Sequence, residues 1–169
     1  MELLMALRRK CTVLGCGAIL LAAAGCVADG EARRPPRAPS DVRPQTITIA
    51  AQMMLDEDNN GYPDTIPVVV YFWDSPDRYP LPLWDDGVLR FRLHDEHNRL
   101  IAEWEVPPEV VVASRRRDQV GAVHYLTLDI REATTDALPA TKAMLSAEFM
   151  AEEGHTATTA RPLVVKIGA

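Results

Sequence analysis

Cysteine is absent after Cys26, and that absence sets the first limits. The chain of 169 residues holds three cysteines, Cys11, Cys16 and Cys26, all near its start. Whatever folds downstream contains no disulfide and no cysteine-ligated zinc. Glycine is scarce, with 9 scattered residues, and they form no Gly-rich phosphate loop. Aromatic residues make up 6%, too few for a broad base-stacking surface. The net charge is −6; Arg8, Arg9, Lys10 and Glu2 give the first 25 residues a net +2, so the remainder carries −8. That balance argues against nucleic-acid binding, which needs clustered Lys and Arg against phosphate. None of Ser40, Ser75, Ser114 and Ser146 sits in a Gly-x-Ser-x-Gly elbow. His94, His97, His124 and His155 show no spacing that converges on a metal, and they read as solvated. No enzymatic activity is expected.

What is present begins with a leader. Arg8, Arg9 and Lys10 form a positive stretch, followed by a nearly apolar run over 11–24. The run falls short of the ~20 residues that span a bilayer and fits the apolar region of a signal peptide. It ends in Ala23-Ala24-Gly25-Cys26, which resembles the lipobox of bacterial lipoproteins. The resemblance implies a signal peptide over 1–25, cleavage between Gly25 and Cys26, and acyl chains on the Cys26 thiol. It also implies an address: a lipid anchor in the cell envelope. In the enterobacterial sorting rule Asp after the cysteine retains a protein in the inner membrane. Val27 stands there, which favours the outer membrane, facing the periplasm. The alternative reading is an ordinary secretory signal with an Ala-x-Ala-like cut.

Residues 26–45 read as a lipidated cysteine and a tether. Pro35, Pro36, Pro39 and Pro44 oppose a helix and favour extended chain. Arg33, Arg34, Arg37 and Arg43 make it basic, suited either to a solvated spacer or to contact with an anionic surface.

The remaining 124 residues, 46–169, are enough for one core without disulfides. Alternation of apolar and polar residues predicts seven strands, at 46–55, 65–73, 88–94, 100–106, 123–130, 143–150 and 162–167. The expected inward faces include Ile47 and Ile49, then Leu89, Phe91 and Leu93, then Ala102, Trp104 and Val106. Arg90 and Arg92 are expected to pair with Glu103 and Glu105 across a hairpin. One helix is expected at 108–117, with Pro108 first and Arg115–Arg117 at its negative end. The predicted fold is all-β: a single β-sandwich of immunoglobulin or transthyretin type with at most one short helix.

Two segments could carry function. Asp56-Glu57-Asp58-Asn59-Asn60-Gly61-Tyr62-Pro63-Asp64 follows the opening of a calcium loop, D-x-[DN]-x-[DN]-G. It resembles EF-hand, dockerin and thrombospondin type 3 loops, with oxygen ligands expected from Asp56, Asp58, Asn60, the Tyr62 carbonyl and Asp64. Pro67 stands where the bidentate Glu of an EF-hand belongs. The same residues also read as a polar turn needing Asn and Gly for its geometry, so calcium, if bound, is the sole cofactor expected. The second segment runs from Tyr79 through Leu81 and Leu83 to Trp84 between prolines. It reads either as packing over an open end of the sandwich or as an exposed docking loop for an envelope protein or glycan.

Two further resemblances cover the domain. Ile47, followed by Ile66-Pro67-Val68-Val69-Val70-Tyr71, resembles the type VI secretion outer-membrane lipoproteins. This implies a transthyretin-like sandwich that recruits an inner-membrane partner through a loop equivalent to 74–87. The Asp/Asn-Gly loop, Gly87-Val88-Leu89-Arg90-Phe91 and Glu103-Trp104-Glu105 are similar to uncharacterised envelope β-sandwich lipoproteins, a pattern that implies fold and no activity. The favoured expectation is a membrane-anchored, non-enzymatic binding or structural domain. The rivals are the type VI component and, from another class, a cell-wall hydrolase.

Overall fold

The computed structural model describes residues 38–139 and 141–168. Gly25, Cys26, the leader and the tether up to residue 37 lie outside the described residues. Nine strands form: β1 (Thr46–Ala51), β2 (Thr65–Trp73), β3 (Gly87–Asp95), β4 (Leu100–Val106), β5 (Arg115–Arg117), β6 (Ala122–Asp129), β7 (Thr141–Ala151), β8 (Thr156–Thr159) and β9 (Leu163–Ile167). A six-residue helix α1 (Pro108–Ala113) and a 3-10 turn (Ile130–Glu132) complete the described elements. The fold is all-β.

The strands make one open mixed sheet in the order β4-β3-β7-β8-β1-β2-β6-β5, with β9 also on β7. All pairs are antiparallel except β1 with β8. The sheet folds over so that β1-β2-β6 covers β4-β3-β7, as in a sandwich. The Phe72 ring on β2 lies 4.5 Å from that of Phe149 on β7. Across the same gap, Trp104 Nε1 on β4 donates to the Asp129 carbonyl on β6 at 2.7 Å.

The period-2 pattern explains the layers. Ile47, Ile49, Val68, Val70, Leu89, Phe91, Leu93, Trp104, Leu126, Leu128, Leu145 and Phe149 point into one buried cluster. A fully buried side chain of this size contributes about 1.5–3 kcal/mol. On the outer face the expected ladder forms, with Arg90 2.7 Å from Glu105 and Arg92 2.7 Å from Glu103, in the register Arg90↔Glu105 and Arg92↔Glu103. Exposed pairs of this kind add only a few tenths of a kcal/mol.

Three local expectations are corrected. The first strand stops at Ala51 instead of running to residue 55, and Met53 beyond it is 85% exposed. The helix stops at Ala113, because the β-branched run Val110–Val112 is a weak helix former and Ser114 turns its hydroxyl onto the Val111 carbonyl at 2.7 Å. Arg115–Arg117 then pair with Ala122–His124 as β5 instead of ending a helix. The described part of the expected tether is not a free spacer. Val42 is buried with Tyr79 and Leu83, Arg43 reaches Glu153 at 3.0 Å, and Asp41 meets Arg78 at 2.9 Å.

Candidate functional site

The calcium-like loop joins β1 to β2. Leu55 closes it against Thr65, its carbonyl accepting from Asp64 and Thr65 N–H at 2.8 and 3.1 Å. Inside, the chain turns tightly: Asn59 and Gly61 take left-handed φ values of 57° and 89°, the conformation that Asn and Gly tolerate best. Asp56 accepts from Asn60 N–H at 3.1 Å and from Gly61 N–H at 2.8 Å. Of the expected ligands, the turn brings together oxygens of Asp56, Asp58 and Asp64, one from each lying within 4.8 Å of the others. Asn60 is engaged otherwise: its Oδ1 accepts from Tyr62 N–H at 2.8 Å, and its Nδ2 donates to Asp136 at 2.8 Å. The Tyr62 side chain is exposed.

Asp64 is the buried member. Its Oδ1 accepts from the Thr65 hydroxyl at 2.7 Å and from Glu57 N–H at 3.3 Å, and its carbonyl accepts from Ile130 N–H at 2.7 Å. Burial alone would raise its pKa. The Thr65 and Glu57 hydrogen bonds and the nearby guanidinium of Arg131 outweigh burial and hold it below the usual carboxylate range.

Arg131 is the residue that sequence reasoning missed. Asp129 caps the 3-10 turn by accepting from Arg131 N–H at 2.8 Å. The Arg131 side chain is gripped by the same carboxylate through Nε at 3.0 Å and Nη2 at 2.7 Å. Its Nη1 then reaches Asp64 at 3.0 Å and Asp58 at 3.3 Å. The Asp64 contact is an ion pair without an aligned hydrogen bond, since Oδ2 of Asp64 accepts none. The Asp129 hydrogen bonds are the largest influence on Arg131 and push its pKa upward; Arg131 in turn lowers that of Asp129. Three carboxylates, Asp58, Asp64 and Asp129, thus meet one guanidinium, with Asp56 beside the first two. Asp56, Asp58 and Asp64 are the residues that could ligate a cation, and Arg131 already supplies positive charge beside two of them.

In the second candidate segment Tyr79 and Leu83 are packed, as the first of the two readings expects, while Leu81 and Trp84 stay partly exposed. Tyr79 and Leu83 are buried against Val42, with Ala38 and Leu81 at the margin. Leu83 N–H donates to the Phe72 carbonyl at 3.0 Å, and Trp84 Nε1 to the Val123 carbonyl at 3.3 Å. Arg117 covers the Trp84 ring at 4.8 Å. These residues fall inside 74–87, the stretch in which the type VI resemblance places a partner contact. Beside the segment, Thr46 and Thr48 of β1 and Trp73, Pro76, Tyr79 and Pro80 line a shallow apolar groove.

No family model matches the chain, and neither a curated protein nor a solved structure matches it. Ser114 and His124 lie 2.9 Å apart, a spacing seen in nucleophilic pairs. Both are buried. The expectation of a solvated His124 is corrected: the residue sits wholly inside the fold. His155, partly exposed, pairs with Asp85 at 2.8 Å. Among the described residues no helix is long and apolar enough to cross a membrane.

Proposed function

We propose that this chain is a lipid-anchored protein of the bacterial cell envelope, with a β-sandwich that serves a non-catalytic binding or structural role. The observation that carries this reading is the ordered sequence of Arg8-Arg9-Lys10, the apolar run over 11–24, and Ala23-Ala24-Gly25-Cys26. Cleavage before Cys26 leaves its thiol for acylation, and each buried methylene contributes ~0.8 kcal/mol, so more than one chain holds durably. In sequence, eleven residues, 27–37, separate Cys26 from Ala38, which packs against the cluster of Val42, Tyr79 and Leu83. The basic residues between them favour an anionic surface, while the acidic domain is repelled by it. Val27 favours the outer membrane, with the domain facing the periplasm.

The test is fractionation of the wild type beside Cys26→Ser in a bacterial host. The wild type is expected in the membrane fraction, released by detergent and not by high salt, and the variant outside it. A wild type that fractionates as soluble protein overturns the proposal.

A further inference from the structure

His124 lies in β6 with no solvent exposure. It stands opposite Val70 on β2 and Arg115 on β5, and its ring centroid is 4.9 Å from that of Phe72. Helix α1 closes the remaining side. Nδ1 is 3.1 Å from the Val111 carbonyl and 2.9 Å from Ser114 Oγ, and Ser114 Oγ donates to that same carbonyl at 2.7 Å. With the hydroxyl proton committed to Val111, Nδ1 is the ring nitrogen that carries hydrogen. Nε2 is buried and has no hydrogen-bond partner. A second proton must therefore arrive on Nε2, where it would find no acceptor, and a buried charge without a partner is strongly disfavoured. The charged side chain facing the ring is Arg115, tied to Asp86 at 2.5 Å, and its positive charge adds to the penalty. The contacts from β2 and α1 are Val70, Phe72, Val111 and Ser114, none of them titratable.

The segment that covers this histidine is short and lies at one edge of the sheet, tied across to the rest by Asp118 on the Tyr71 hydroxyl, Arg115 on Asp86 and Arg117 over the Trp84 ring. Helix α1 buries only Val111 and leaves Val110 and Val112 exposed. Strand β5 has three residues and pairs along one edge. Proline residues 107 and 108 mark one end, and Gly121, at φ +142°, marks the other. Such sparsely buried units open at lower free energy than the whole fold.

We propose that residues 107–121 form an acid-released flap: protonation of His124 lifts α1 and β5 away while the two sheet layers stay folded. Burial pushes the closed-state histidine down to about 4 from 6.5. Proton linkage then makes the open state about 20-fold more populated at pH 5 than at pH 7.

Amide hydrogen exchange on residues 26–169 carrying Cys26→Ser tests this, since that chain retains the compact unit Pro35–Ala169. Ser114 and Tyr125 report the flap through their bonds to Val110 and Ser114 carbonyls, and the β3–β7 amides report global unfolding. Corrected for intrinsic rates, the flap amides are expected to open more readily than β3–β7 at pH 7, with little dependence on added urea. Their opening is expected to rise about 20-fold at pH 5 and to stay level in His124→Gln. Ser114→Ala, which keeps the histidine, is expected to raise opening at pH 7 and retain the pH response. Three results each overturn the proposal: flap amides that match β3–β7 in free energy and urea dependence, flap opening unchanged at pH 5, or the same pH response in His124→Gln.

Discussion

Arg131→Gln is the perturbation that most sharply tests how the Asp-rich loop is held. The substitution leaves a shorter, neutral polar side chain and removes the guanidinium that meets Asp129 at 2.7 Å, Asp64 at 3.0 Å and Asp58 at 3.3 Å. A unit pair at this range in an effective dielectric of about 20 is worth about 4 kcal/mol. Asp64 has no exposed side-chain surface, but Arg131 is 35% exposed, so solvent screening reduces the figure and we expect a loss of about 2 kcal/mol. In a domain of this size that lowers Tm by about 6 °C, read by thermal denaturation at pH 7. The sign with pH follows from the carboxyls. Asp129 is lowered chiefly by Arg131, while Asp64 is lowered despite its burial. Their contribution is present above the ordinary carboxyl pKa of 3.8 and is lost as pH falls through their lower folded-state pKa values, so wild type and variant converge in strong acid. Calcium should raise Tm more in the variant, whose loop has one positive charge fewer. A variant melting within about 1 °C of the wild type would refute the view that Arg131 neutralises the loop.

Three other substitutions probe the frame of the sandwich. A Cβ on Gly87 would sit 2.2 Å from the Met150 carbonyl oxygen and 2.7 Å from Ala151 Cα, both backbone, so Gly87→Ala must part β3 from β7. Urea unfolding is expected to show a loss of about 2–3 kcal/mol, against about 1 kcal/mol for Gly154→Ala, where only the positive φ is strained. The Tyr71 hydroxyl donates to Asp118 at 2.5 Å, and that carboxylate raises the phenol from 10 to about 12. Tyr71→Phe is expected to lose about 1.5 kcal/mol at pH 7. A raised phenol pKa gives stability that is present below pH 10 and lost as pH rises through about 12, so the two proteins should converge in alkali.

The seven strands were legible because each carries several apolar residues at period 2, as Leu89, Phe91 and Leu93 do. β8 was not, since Thr156–Thr159 holds one buried apolar residue, Ala157, between threonines. Nor was β5, three consecutive arginines whose strand character comes only from pairing with β6. Val42 looked like spacer because it is a lone valine among polar residues and prolines, and its burial depends on Tyr79 and Leu83 more than thirty positions away. The approach of Asp56, Asp58 and Asp64 followed from local turn chemistry. Arg131 did not, because β6 and a capped turn carry it to the loop from the far side of the sequence. His124 fits the alternation of β6 poorly: it shares a buried stretch with Ala122 and Val123, so its environment is set by α1 packing over the strand.

The intact mass of the protein extracted from bacterial membranes tests the proposed lipid anchor at Cys26 most directly. The expected chain starts at Cys26 and carries added acyl mass, with that mass lost in Cys26→Ser. A wild-type chain that begins elsewhere, or bears a free thiol at Cys26, would contradict the envelope anchor.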